Sequence, residues 1–94
     1  MKVELLDAFL DQLNDQVDYI ARDKPNAARK FYDDILIEAM KLGEKPMLYR
    51  RSIYYDDDRY RDMVFKGYKV IFKIDEPKDT IFVIGLVNMQ KGMK

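Results

Sequence analysis

Only Lys66-Gly67 separates two runs of strand-forming side chains, Arg59 to Phe65 and Tyr68 to Ile74. So short a connection admits a tight β-hairpin, whose register follows from the turn. It sets Phe65 opposite Tyr68, Met63 opposite Val70 and Arg61 opposite Phe72. One face is then largely apolar, with Met63, Phe65, Tyr68, Val70, Phe72 and Ile74, and the other carries Tyr60, Asp62, Val64, Lys69, Ile71 and Lys73. A third run, Thr80 to Val87, follows the turn-forming stretch Asp75-Glu76-Pro77-Lys78-Asp79. It lacks alternation, which predicts a central strand buried on both faces.

Upstream of the hairpin the hydrophobic period lengthens. Leu10, Leu13, Val17 and Ile20 recur at three and four residues, with Asp11, Gln12, Asp15 and Asp18 on the opposite side, which predicts an amphipathic helix from Asp7. Lys2 to Leu6 reads as a short strand or as the opening of that helix. Asp23-Lys24-Pro25 breaks the pattern, and proline suits the first turn of a new helix. Ala28, Phe31, Ile35, Ala39 and Leu42 share one side of this second helix, and Gly43 and Pro46 end it. From Met47 to Asp58 no period holds, so a loop with a short extended piece is expected. The fold class is therefore α+β: a strand, a helical hairpin, then a three-stranded antiparallel meander, in two layers. Ninety-four residues make one domain, 1–94.

Composition prunes the chemistry. The chain has no cysteine and no histidine, which removes thiolate nucleophiles, disulfides and the usual metal ligand and general base. No cofactor and no metal site is expected. Asp56-Asp57-Asp58 lacks the glycine-containing spacing of a calcium loop. Net charge is zero, but residues 1 to 58 hold nine basic and thirteen acidic residues whereas residues 59 to 94 hold eight and four. The C-terminal third is the basic part. No apolar run approaches the roughly 20 residues of a membrane span, and Glu4 and Asp7 stand where a signal peptide is basic and then apolar. A cytoplasmic protein without a membrane partner is expected.

In this order and at this length, three stretches resemble the RelE/ParE superfamily of small bacterial toxins, the plasmid-stabilisation proteins. Asp18-Tyr19-Ile20-Ala21-Arg22-Asp23-Lys24-Pro25-Asn26-Ala27-Ala28-Arg29-Lys30-Phe31 is similar to the family's helix, acidic-x-Pro turn and second helix with paired alanines and an aromatic. Tyr60-Arg61 through Gly67-Tyr68-Lys69-Val70-Ile71-Phe72 resembles its arginine strand and glycine-tyrosine-basic hairpin, and Ile81 to Val87 its terminal strand. The resemblance implies the toxin of a type II toxin-antitoxin pair, with a cognate antitoxin as partner in a hetero-oligomer, or a homodimer.

Two branches of the superfamily differ in target. The RelE-like branch cuts messenger RNA on the ribosome, which takes convergent cations to stabilise the phosphorane and a group to move a proton from the 2′-hydroxyl. Lys69 fits its basic position, but Val64 and Asp62 stand where that branch places lysines, and Gln90 stands near the expected arginine. Arg61, Lys69 and Gln90 are the catalytic candidates only for that ribonuclease, whose set is incomplete. The balance moves to the ParE-like branch, which inhibits DNA gyrase, and a degenerate binding module of the same fold is the third reading. Target- or antitoxin-binding candidates are Arg61, Val64, Lys69, Ile71, Lys73 and Lys91, with Val64 and Ile71 expected as exposed apolar positions and the outer edge of the first helix as the alternative antitoxin surface.

Plainer readings stand beside these. Arg61 opens its strand on the core side and is expected to tie the sheet to an acidic residue of the helices. Lys69 and Lys73 flank Ile71 on a face that is solvated by default. Tyr19, Phe31, Tyr68 and Phe72 follow the helix and strand periods and are expected in the core. Arg50, Arg51 and Arg59 pair with the acidic run.

Overall fold

A computed structural model describes residues 1–89. One sheet holds five strands: β1 (Lys2–Leu5), β2 (Arg50–Arg51), β3 (Tyr60–Phe65), β4 (Tyr68–Asp75) and β5 (Thr80–Asn88). Their order is β1-β5-β4-β3-β2. Helices α1 (Asp7–Ala21) and α2 (Pro25–Met40) form the hairpin between β1 and β2. The α+β expectation holds, and β5 is central, flanked by β1 in parallel and β4 antiparallel.

The hairpin register matches the turn argument: Phe65 faces Tyr68, Met63 faces Val70 and Arg61 faces Phe72. Lys66 and Gly67 take positive φ angles of 50° and 83°. That is the mirror-image turn whose twist suits the flanking strands. Two consequences of tertiary pairing were not expected. β1 joins the sheet through β5, and the Arg50-Arg51 piece pairs with Asp62 and Arg61 of β3.

The helices start where local chemistry favours it. Asp7 in the first turn of α1 suits the positive end of the helix dipole, and Pro25 sits in the first turn of α2, where its missing N–H leaves no helical bond unmade. Past Met40 the chain tightens into a 3-10 turn, Lys41–Gly43. There the N-terminal amine of Met1 donates to the Gly43 carbonyl at 2.9 Å. A Cβ on Gly43 would overlap the Met1 carbonyl oxygen, so this approach requires glycine.

The core lies between helices and sheet. Phe9 and Leu13 of α1, Ile35 of α2, and Val70, Phe72, Ile81 and Val83 of the sheet are completely buried, with Leu42 of the 3-10 turn. Each such side chain contributes about 1.5–3 kcal/mol of transfer free energy. Phe31 and Tyr68 pack as tilted rings 4.8 Å apart. Tyr19 departs from the core expectation: it is 64% exposed. It lies near the end of α1, past the last fully buried α1 residue, Leu13, and its ring takes the Arg22 guanidinium 5.9 Å from its centroid. Among the described residues no helix is long and apolar enough to cross a membrane.

Candidate functional site

The sheet face turned away from the helices carries most of the residues singled out in the sequence, and it is not a solvated basic surface. The chain between β2 and β3 lies across part of it. Ser52 N–H donates to the Tyr60 carbonyl at 2.8 Å, Ile53 N–H reaches the Asp62 carboxylate at 3.4 Å, and Tyr54 N–H donates to the Ser52 hydroxyl at 3.2 Å. The strap ends in charge pairs: Arg51 binds Asp56 and lies 3.5 Å from Asp58, and Arg59 forks onto Asp57 at 2.7 Å. The Arg59 fork holds the Asp57 carboxyl down at about 2. This internal pairing is the expected one for Arg51 and Arg59, whereas Arg50 makes no ion pair among the described residues and instead opens β2 opposite Asp62; the Arg59 backbone N–H is taken by Asp57, ahead of the start of β3 at Tyr60.

Under the strap the candidates change character. Lys69 is only 9% exposed, with its ammonium 5.3 Å from the Tyr54 ring centroid. A cation buried against an aromatic face is turned inward, away from any phosphate. Ile71, expected as an exposed apolar contact, is 7% exposed. Its partner in the pairing is Gly85, and the Ile71 Cδ1 lies 3.7 Å from the point a Gly85 Cβ would occupy, so Ile71 folds down over a strand position that has no side chain. Lys73 is half-buried, 5.9 Å from the ring of Tyr60, which in turn stacks on Tyr55 at 4.0 Å. Val64 alone of these positions is exposed as expected, at 54%.

Asp62 is buried at 1% exposure, and its Oδ1 has no hydrogen-bond partner. Arg61 is structural, as the plainer reading held, but its partners differ. Its guanidinium donates to the carbonyls of Asp58 at 2.9 Å and Tyr49 at 3.0 Å, not to an acid of the helices, because the chain on either side of β2 brings these two carbonyls to it. Gln90 and Lys91 lie outside the described residues.

A concavity, which the sequence reading missed, opens at the turn end of the helical hairpin. It is a groove of about 410 Å³ between the end of α1, the start of α2 and the β3-β4 turn. Tyr19, Ile20, Ala27, Phe31 and Tyr68 give it apolar and aromatic walls, and Lys30 and Lys66 are the charged residues that line it. Both ammonium groups converge on one carboxylate, Asp34, at 3.0 and 2.9 Å. The bond from Lys66, then that from Lys30, holds the Asp34 carboxyl below its ordinary range. On the groove wall the Tyr68 hydroxyl donates to Gln16 at 3.0 Å, and burial pushes its pKa up. Helical spacing hid the groove, since Lys30 and Lys66 lie 36 positions apart in the sequence and Tyr19 reads as one more core aromatic.

Residues 3–90 match the model of the family described as the ParE toxin of the type II toxin-antitoxin system parDE. The chain belongs to the ParE toxin family. It is thus a ParE-like toxin of a type II toxin-antitoxin system, a kind of protein that has an antitoxin as partner. Its fold is also that of a solved chain titled "Chromosomal ParDE TA system from P. aeruginosa", with a TM-score of 0.77 over 94% of this chain and 95% of that one. Identity there is 13%, so the likeness concerns the fold. No curated protein sequence matches the chain.

Proposed function

We propose that this ParE-like toxin inhibits DNA gyrase in the cytoplasm, is neutralised by its cognate antitoxin in a hetero-oligomer, and does not cleave messenger RNA. The observation that carries the choice is Asp62. Messenger-RNA cleavage takes several cations converging on one phosphate. On this sheet face a carboxylate with an unpartnered oxygen lies buried beneath the strap and Lys69 lies against Tyr54, while Arg61, on the opposite face, is spent on two backbone carbonyls. A negative charge in that position opposes phosphate binding.

The test is induction of the chain alone in a bacterium, with gyrase supercoiling and DNA breaks followed beside transcript integrity. The expected result is DNA damage and lost supercoiling with intact transcripts, relieved by the antitoxin. Codon-dependent transcript cleavage with normal supercoiling overturns the proposal in favour of the ribonuclease. Normal growth overturns it in favour of a degenerate binding module.

A further inference from the structure

We propose that the groove between Tyr19, Phe31 and Lys66 is where the antitoxin docks, and that the docking segment is acidic, carrying an apolar side chain for the groove and carboxylates for Lys30 and Lys66. The inference rests on the toxin-antitoxin assignment and adds the surface and the chemistry of the partner.

Two features of the groove single out this occupant. The walls are apolar and partly aromatic, and Tyr19, at 64% exposure, leaves a large ring with much of its area in water. Covering such a ring beside Phe31 and Tyr68 is favourable for any apolar anchor. The charge selects among anchors. The charged lining residues are both lysines, two ammonium groups share the single Asp34 carboxylate, and the Arg22 guanidinium stands by Tyr19. Asp34 therefore neutralises one of the two lysines, and an incoming carboxylate supplies the missing partner. A basic segment, by contrast, would meet the charge of the lysine that Asp34 leaves unneutralised. On the outer sheet face Lys69 and Ile71 are nearly buried beneath the strap and Lys73 is half-buried, so its cations are less open than Lys30 and Lys66.

Asp34 makes the proposal sharper, since it competes with the partner for the same two cations. Removing its charge weakens the isolated toxin's own surface pairs but frees both lysines for the antitoxin. A purely structural role for the cluster predicts the opposite sign.

The experiment measures affinity by calorimetry between the full-length toxin and the purified antitoxin encoded beside it, at low and high salt. Four variants are compared, each checked for fold by circular dichroism and thermal melting. Lys30→Glu/Lys66→Glu is expected to weaken binding by about tenfold or more and to flatten its salt dependence. Ala27→Trp, which fills the groove from an exposed helix position without changing charge, is expected to weaken binding at every salt concentration. Asp34→Asn is expected to strengthen it at low salt by about threefold. Lys2→Glu on β1, a remote charge reversal, is expected to leave it within about twofold.

Folded groove variants that bind like the wild type overturn the docking site while leaving the toxin-antitoxin assignment intact. Failure of the wild type itself to bind the antitoxin overturns the assignment on which the inference rests. Groove variants that lose gyrase inhibition yet keep antitoxin affinity overturn it in favour of a target-binding groove.

Discussion

Gln12 of α1 accepts the backbone N–H of Leu86 in β5 at 2.8 Å. The pairing of β1 with β5 ends at Val83, so this amide lies on a strand edge that no neighbouring strand covers. A helix side chain takes the place of the missing strand. One helical turn on, Gln16 does the same work with a second acceptor, receiving the Tyr68 hydroxyl at 3.0 Å and the Asn88 side-chain amide at 3.1 Å. These two glutamines tie α1 to β5 and to the wall of the cationic groove.

Gln12→Leu is therefore expected to lower stability by about 1–2 kcal/mol, because it leaves the Leu86 donor without its partner. Urea denaturation reads the loss, and hydrogen exchange localises it as faster exchange at Leu86. Gln12→Glu, which keeps an acceptor oxygen, is expected to recover most of the protection.

Asp62 makes the opposite prediction. A buried carboxylate with one unpartnered oxygen and one long bond of 3.4 Å is a cost to the fold. Asp62→Leu, with the same branched shape, somewhat larger and without charge, is expected to raise stability by about 1 kcal/mol or more in urea denaturation. A stability loss of that size would mean that the carboxylate anchors the strap through Ile53 more strongly than its geometry indicates.

Gly43→Ala is expected to destabilise by about 1–3 kcal/mol, since the new methyl group meets backbone at Met1 rather than a side chain that can turn away. Thermal melting checks it. An equivalent change at Gly85 is expected to be milder, because its surroundings are the movable ends of Gln12 and Ile71.

Acid should loosen the strap. The Asp57 carboxyl is held at about 2 against an ordinary 3.8, so its pairing with Arg59 contributes fully above the ordinary value and is lost as pH falls from there toward about 2. Asp34 is lowered in the same direction by Lys66 and Lys30, so the link from α2 to the β3-β4 turn is also complete above the ordinary value and weakens as pH falls below it. Carboxyl carbon titration by NMR should place the Asp57 midpoint near 2, and Arg59→Ala should return it toward 3.8. Both pairs are solvent-exposed, and salt should weaken them.

The hairpin from Tyr60 to Ile74 was legible because its information is local. A two-residue turn and a period of two leave one register that gathers the apolar residues on one side, and Phe65 does face Tyr68. The helical hairpin was legible for the same reason, through the spacing of Leu13, Phe31 and Ile35 and the break at Pro25. The toxin family was readable as well, from short motifs kept in order along the chain, and residues 3–90 bear it out. Burial on the far face was not legible. Ile71 and Lys69 alternate like solvated residues, yet Ile71 folds down over the side-chain-free position at Gly85 and a ring from Tyr54 covers Lys69. Tyr19 has core periodicity but sits near the end of its helix, in water. The sequence by itself determined the two helices, the register of the β3-β4 hairpin and the family, because periodicity and turn chemistry act between near neighbours. Only the tertiary structure decided that Lys66 joins the i,i+4 pair of Lys30 and Asp34, since the two lysines share that carboxylate when the β3-β4 turn reaches α2. No local rule links side chains brought together from separate elements of the fold.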